Sequence, residues 1–182
     1  MLTLRTKLFY LEKTKRQKDC NDMEKILIVE DDIAFGTMIQ TWLRKKGFEV
    51  EKTTSVKAAI QAWEKLESGF DLVLSDLRLP DHDGIFLLQW MRKHGMQVPF
   101  IVMTSYAEIQ NVVLAMKSGA TDYVAKPFHP DILLEKIKEA IKNHNTSSQS
   151  EKNIEQREAT GNQEPIDNKK VSGNMESKGS VD

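Results

Sequence analysis

The sequence predicts an α/β protein in which five parallel strands alternate with five helices in a doubly wound sheet. Five short apolar runs of strand length recur between residues 25 and 127. The segments that separate them carry apolar residues at helical spacing. The first run is unbroken rather than alternating, as a strand buried on both faces should be. Repeated strand–helix units of this kind build a sheet that is covered by helices on both sides.

Two strand–helix units open the predicted fold. KILIVEDD, residues 25–32, predicts strand one, and the alternating FEVEKT, residues 48–53, predicts an edge strand. Gly47 ends the first helix, and Ser55 can cap the second. Apolar residues at helical spacing mark both helices as amphipathic: Phe35, Met38, Ile39, Trp42 and Leu43 in the first, and Val56, Ala59, Ile60 and Trp63 in the second.

Three further units complete the fold. The third, fourth and fifth strands are predicted from DLVLSD at 71–76, VPFIVMTS at 98–105 and TDYVAKP at 121–127. Gly84 opens the third helix, and Pro130 suits the first turn of the last one. Apolar residues at helical spacing mark the three helices: Ile85, Leu88 and Met91; Ile109, Val112, Val113 and Met116; and Leu133, Leu134, Ile137 and Ile141.

Polar residues follow the predicted strands at the points where the strands end. Right-handed crossovers favour the strand order 2-1-3-4-5 of flavodoxin-like folds, in which ligands bind outside the carboxyl ends of the strands. We therefore expect these residues to converge on one rim of the sheet. They are Glu30, Asp31 and Asp32 after strand one, Asp76 after strand three, Thr104 and Ser105 after strand four, and Lys126 after strand five.

The residue types at this rim favour a metal and phosphoryl site. Clustered carboxylates repel one another unless a cation neutralises them, and carboxylates without Cys or His suit a hard cation such as Mg²⁺. A hydroxyl and an ammonium group could hold the oxygens of a transferred phosphoryl group. Each residue also has a structural explanation: Asp31 or Asp32 could cap a helix, and Lys126 could be a surface lysine. Because all of these residues follow matched strand ends, a shared metal and phosphoryl site explains them better than separate structural roles do.

Four segments carry a resemblance to a known family: ILIVEDD, LSDLRLPDHDG, IVMTSYAE and DYVAKPF. In their order and spacing, residues 24–143 resemble the receiver (CheY-like) domain of two-component response regulators. The resemblance implies that Asp76 accepts a phosphoryl group from a sensor histidine kinase. Thr104 and Lys126 match the hydroxyl and the lysine that contact this group. An aspartate in this role is a nucleophile.

The resemblance also implies a Mg²⁺ site. Its ligands would be Glu30, Asp31, Asp76 and the backbone carbonyl of Arg78. Counted along strand one, Glu30 and Asp31 take the positions of the family's acidic pair. Asp32 follows this pair by one residue, and a shift of the count by one residue would include it.

A phosphorylation-dependent switch is the third implication. Tyr123 stands where the family carries an aromatic switch residue, which would respond to Thr104, and Lys126–Pro127 is expected to be a cis peptide. Phosphorylation would then change a surface that binds a second copy or an output domain. Some segments look similar to receivers of NtrC-type transcription activators, and a stand-alone receiver that acts by protein–protein contact is the alternative.

Both ends of the chain differ in composition from its middle. We expect residues 1–22 to be a disordered leader, residues 23–143 to be the receiver domain and residues 144–182 to be a flexible polar tail or linker. The leader carries six basic and three acidic residues, so a basic arm or a short helix packed on the domain remains open. The tail lacks Leu, Phe, Trp and Tyr and so has little surface to bury.

Bulk properties exclude several other classes of protein. The net charge of −1 and the single cysteine argue against a general attraction to nucleic acid and against a disulfide scaffold. No segment is apolar for the length of a membrane span, so we expect a cytoplasmic protein that binds neither membrane nor nucleic acid directly.

A phosphatase would carry a second Asp two residues after Asp76, where Arg78 stands, so we expect no enzyme. A flavin-binding module of the same topology is also disfavoured, because the carboxylates of EDD at residues 30–32 would repel the phosphate of the flavin.

Overall fold

The computed structural model describes residues 23–66, 68–105 and 109–160. Strands and helices alternate along this part of the chain. In order they are β1 (Lys25–Val29), α1 (Ile33–Lys45), β2 (Glu49–Thr53), α2 (Val56–Lys65), β3 (Leu72–Asp76), α3 (Gly84–Lys93), β4 (Phe100–Ser105), α4 (Ile109–Lys117), β5 (Asp122–Lys126) and α5 (Pro130–Thr160). All the strand pairs are parallel, and the sheet order is β2-β1-β3-β4-β5. The predicted fold class and strand order are confirmed.

Two apolar layers enclose the sheet, one on each face. In β1, Leu27 faces the layer that contains Trp63 of α2 and Leu88 of α3. The neighbouring residue Ile28 faces the opposite layer, which contains Ile137 of α5. Because successive side chains of a strand point to opposite faces, a strand between two helical layers must be apolar at every position. The unbroken apolar runs of the sequence have this cause.

Side chains from turns satisfy the first N–H groups of three helices. Asp32 accepts a hydrogen bond from Phe35 N at 3.0 Å at the start of α1. Ser55 accepts from Ala58 N in α2, as predicted, and Asp83 accepts from Ile85 N in α3. These N–H groups have no partner within their own helix, so the caps determine where each helix begins.

The last helix is longer than the sequence analysis predicts. We expect a polar tail from residue 144, whereas α5 is helical to Thr160. Residues 144–160 contain neither Gly nor Pro, the two residues that most disfavour a helix, so neither interrupts it. The compact unit that contains the sheet ends at Ser147, and a second unit begins at Ser148. The domain boundary at residue 143 stays a prediction, and residues 1–22 and 161–182 lie outside the described residues.

Candidate functional site

The polar strand ends meet at the carboxyl edge of the sheet. Glu30 directly follows β1, Asp76 ends β3, and Lys126 ends β5. Thr104, in β4, is the register partner of Ala125, next to Lys126. Because the four strands are consecutive in a parallel sheet, their carboxyl ends lie along the same edge.

Three carboxylates form a cluster at this edge. Glu30, Asp31 and Asp76 each offer one oxygen, and these oxygens lie within 4.8 Å of one another. Glu30 is buried, Asp76 is half-buried, and Asp31 is exposed. Oxygens at this spacing can bind one divalent cation, and the exposed side of the cluster leaves room for the waters that Mg²⁺ retains.

Lys126 holds two of these carboxylates together. Its Nζ donates to Asp76 Oδ2 and to Glu30 Oε2, at 2.6 Å in each case. Burial opposes the charge of Lys126, but the bonds to Asp76 and Glu30 outweigh it and raise the pKa of the lysine. For Glu30, burial disfavours the charged carboxylate and raises its pKa. The bond to Lys126 offsets this effect only in part, and repulsion by Asp76 adds to it. The ammonium group is therefore charged and is directed at the acidic centre.

The two adjacent aspartates after β1 have different surroundings. Asp32 caps α1 through Phe35 N, whereas Asp31 contributes its oxygen to the carboxylate cluster. The structural explanation that the sequence leaves open for Asp31 or Asp32 therefore applies to Asp32. Asp32 lies outside the group of carboxylates that could hold a metal ion.

Thr104, Arg78 and Tyr123 differ in burial and in hydrogen bonding. The Thr104 side chain is buried, and its Oγ1 donates to the Ser105 carbonyl at 3.2 Å. Arg78 N donates to Asp76 Oδ1 at 3.1 Å, so the backbone of the β3–α3 loop orients this carboxylate. Tyr123 points outward, being 44% exposed. The expected cis peptide at Lys126–Pro127 is present.

Two residues that shape the site are not assigned to it by the sequence analysis. A Cβ on Gly84 would lie 2.2 Å from the Asp76 carbonyl oxygen, so only glycine fits there. The Phe35 ring lies 4.6 Å from Lys126 Nζ and meets Phe128 edge-on. The sequence places Gly84 at a helix start and Phe35 on a core face. Periodicity alone does not reveal either contact.

None of the helices in the described ranges is both long enough and apolar enough to cross a membrane.

Sequence comparison connects the chain to a known family. The family described as the response regulator receiver domain matches residues 26–138. The transcriptional regulatory protein ZraR of Klebsiella oxytoca is 39% identical over 117 residues, which are 64% of this chain and 26% of ZraR. The regulatory protein AtoC of Escherichia coli (strain K12) is 39% identical over 111 residues, which are 61% of this chain and 24% of AtoC. The chain therefore spans about a quarter of the length of these curated relatives.

Solved structures show the same architecture. A CheY-like response regulator receiver domain protein from Methanospirillum hungatei JF-1 superposes with a TM-score of 0.65 at 34% identity, over 69% of this chain and 99% of that chain. The HemR receiver domain of Leptospira biflexa gives a TM-score of 0.60 at 31% identity, over 65% and 94% of the two chains. Sequence and fold agree, and the chain belongs to the response regulator receiver domain family, which acts in two-component signalling.

Proposed function

We propose that this domain accepts a phosphoryl group on Asp76 from a sensor histidine kinase and thereby changes a surface that an output domain or a second copy binds. One observation carries the proposal. The oxygens of Glu30, Asp31 and Asp76 lie within 4.8 Å, and the Lys126 ammonium bridges Asp76 and Glu30. An aspartate that lies among carboxylates able to hold a cation, beside a lysine, has the surroundings that an aspartyl-phosphate requires.

In this proposal the chain supplies a nucleophile that is already oriented. A carboxylate oxygen of Asp76 forms the bond to phosphorus while the bond from phosphorus to the donor group breaks. The N–H of Arg78 and the ammonium of Lys126 each hold one Asp76 oxygen, which restricts rotation of the carboxylate. We also assign Lys126 to an oxygen of the transferred group. We assign Thr104 to another of these oxygens, since it is buried one strand away.

The donor atoms fit Mg²⁺. Three carboxylates and the backbone carbonyl of Arg78 supply only hard oxygen ligands. Only one ammonium group contacts the carboxylates of Glu30 and Asp76 in the described structure, so the cluster keeps an excess of negative charge. Bound by these oxygens, Mg²⁺ would offset the repulsion between Asp76 and an incoming phosphoryl group.

A hydrolytic enzyme is a weaker interpretation. The position two residues after Asp76 would need a carboxylic acid to protonate a leaving group, and Arg78 stands there. A guanidinium group stays protonated at physiological pH, so it cannot act as the acid. We therefore propose a phosphoryl acceptor rather than an enzyme, and expect no turnover of small phosphate esters.

Mass spectrometry tests the proposed acceptor. After incubation with acetyl phosphate and Mg²⁺, the wild-type chain should gain the mass of one phosphate, and Asp76→Asn should gain none. Asp83→Asn is the matched control, because it removes a carboxylate from the same loop and Asn still caps α3. Labelling of Asp76→Asn at the wild-type level would refute the assignment.

The partner of the switched surface is also a proposal. The curated relatives are named as transcriptional and regulatory proteins and are about four times as long as the matched region, which supports an attached output domain. Val113, Leu114 and Met116 of α4 and Tyr123 of β5 are exposed apolar side chains, which supports a docking surface beside β5. We propose that Tyr123 turns inward when phosphate draws Thr104 toward Asp76.

A further inference from the structure

Asp81 joins a loop to a helix that is distant from it in the sequence. It lies in the β3–α3 loop, five residues after Asp76. Its Oδ1 accepts a hydrogen bond from Val56 N at 2.9 Å, and its Oδ2 accepts one from Lys57 N at 2.8 Å. Both donors belong to the first turn of α2. The carboxylate therefore ties the tip of one loop to the start of a helix that precedes it by about 25 residues.

These two hydrogen bonds use backbone N–H groups that have no acceptor within α2. The first N–H groups of a helix have no carbonyl partner in the helix. Asp81 takes those of Val56 and Lys57, and Ser55 Oγ takes that of Ala58 at 3.2 Å. Some loss of water disfavours the carboxylate, but the donated N–H bonds outweigh it and lower the pKa of Asp81. Asp81 is therefore ionised near neutral pH.

The same loop is also held where it leaves β3. Arg78 N donates to Asp76 Oδ1 at 3.1 Å, and Gly84 N donates to the Leu77 carbonyl at 2.9 Å. These bonds fix the start and the end of the loop, and Asp81 fixes its tip. Arg78 lies between the fixed start and the fixed tip, so its peptide groups have little freedom to turn away from Asp76.

We propose that Asp81 is a positioning residue for phosphoryl acceptance, because its two bonds to α2 hold the backbone of Arg78 in place beside Asp76. The inference rests on the proposed function. It adds a residue that touches neither the metal ligands nor the phosphoryl group. Loss of the tie should loosen the Arg78 peptide and weaken the Mg²⁺ site, while Asp76 itself stays intact.

Two measurements on the full chain test this role. Calorimetric titration with Mg²⁺ reports on the metal site, and hydrogen exchange of the Arg78 amide reports on the loop without metal. For Asp81→Ala we expect Mg²⁺ affinity to fall by about tenfold, as is typical when a partner that orients a ligand is lost, and Arg78 exchange to accelerate. Saturating Mg²⁺ should restore labelling by acetyl phosphate toward the wild-type rate.

Ser55→Ala is the matched control. It removes a cap from the same helix but leaves the bonds between Asp81 and α2 intact, so Mg²⁺ affinity and Arg78 exchange should stay at wild-type values. If Asp81→Ala does not fold, Asp81→Asn replaces it, because an amide keeps the shape of the side chain but cannot accept both bonds.

Three results would overturn the inference. The first is wild-type Mg²⁺ affinity and Arg78 exchange in the folded Asp81 variant. The second is an equal loss of affinity in Ser55→Ala, which would show that the effect passes through α2 stability. The third is a wild-type chain that neither binds Mg²⁺ nor becomes labelled. That third result refutes the proposed function itself, and the wild type alone reveals it.

Discussion

Adjacent aspartates at the end of β1 have separate tasks at the scale of the residue. Asp31 lies in the carboxylate cluster, and Asp32 caps α1. A strand end turns successive side chains in different directions, so one residue of register decides which carboxylate meets Asp76.

Mutation should separate these two tasks. Asp31→Ala should lose most Mg²⁺ affinity because it removes a proposed ligand. Asp32→Ala should instead lose about 1 kcal/mol of unfolding free energy, as is usual for a removed N-cap, and keep its Mg²⁺ affinity. Metal titration and thermal unfolding of both variants measure the two effects. A larger affinity loss in Asp32→Ala would show that the assigned ligand is off by one residue.

Gly84 is a second single residue on which the site depends. A Cβ there would overlap the Asp76 carbonyl oxygen at 2.2 Å. We expect Gly84→Ala to shift the backbone of Asp76, to lower the free energy of unfolding by about 1–3 kcal/mol as overpacking does, and to slow phosphoryl labelling.

Gly47→Ala is the control for this prediction. Gly47 has a positive φ but open space around it, so alanine adds backbone strain of about 1–2 kcal/mol far from Asp76. Denaturant unfolding and acetyl phosphate labelling compare the variants. If both variants label equally at equal stability, Gly84 has no special effect on the site.

At the scale of the element, the first turn of α2 is held by the carboxylate of Asp81. Asp81 is ionised when it accepts from Val56 N and Lys57 N, and its pKa lies below the ordinary 3.8. A group with a lowered folded pKa stabilises the fold above its unfolded pKa and loses that contribution as pH falls through the folded value.

The pH dependence of stability should show this contribution. Wild type should exceed Asp81→Asn in unfolding free energy by a constant amount from about pH 5 to 8, since the carboxylate is ionised throughout that range. The difference should shrink as the pH falls below about 4. Urea unfolding of both proteins across this range measures it. His82 and Asp83 are present in both proteins and cancel in the comparison. A difference that is independent of pH down to the acid transition would contradict the role of the charge.

At the scale of the whole molecule, the site and the exposed apolar surface lie on different parts of the fold. The carboxylates occupy the edge at the carboxyl ends of the strands, whereas Leu114 and Tyr123 are exposed on α4 and β5. Lys136 of α5 lies 5.9 Å from the centre of the Tyr123 ring. Movement of Tyr123 would therefore change a surface to which β5 and α5 both contribute.

Self-association should depend on the phosphorylated state. With beryllofluoride as a phosphoryl mimic, we expect tighter association by about 1–3 kcal/mol, the usual range for coupled sites. Thr104→Ala and Leu114→Ala should reduce the effect, because one weakens the link to Asp76 and the other removes an exposed apolar contact. Met38→Ala is the control, since Met38 is similarly exposed but lies on α1. Sedimentation velocity measures association, and the NMR signals of the Tyr123 ring report its surroundings. The proposed switch is refuted if beryllofluoride changes neither self-association nor the surroundings of Tyr123 in the wild-type protein.

The amino-acid sequence alone was enough to predict the fold and the identity of the strand-end residues. Apolar runs such as residues 26–29 are local, and their period shows whether one or both faces are buried. Given five strand–helix units, handedness leaves few orders for the sheet, and the carboxyl ends must share one edge. Asp76 and Lys126 could therefore be expected to meet, although they are 50 residues apart.

The neighbours of these residues became known only from the folded chain. The cap formed by Asp32 rather than Asp31 and the bonds of Asp81 to α2 depend on how loops lie against helices, and the contact of Phe35 with Lys126 depends on how α1 lies against the end of β5. Loops have no period, so the sequence carries no local signal for such contacts. The extent of α5 was also undetermined, because a polar composition predicts poor packing but does not prevent helical hydrogen bonds. Contacts between elements that are distant in the sequence therefore completed a site whose main residues the strands had already placed.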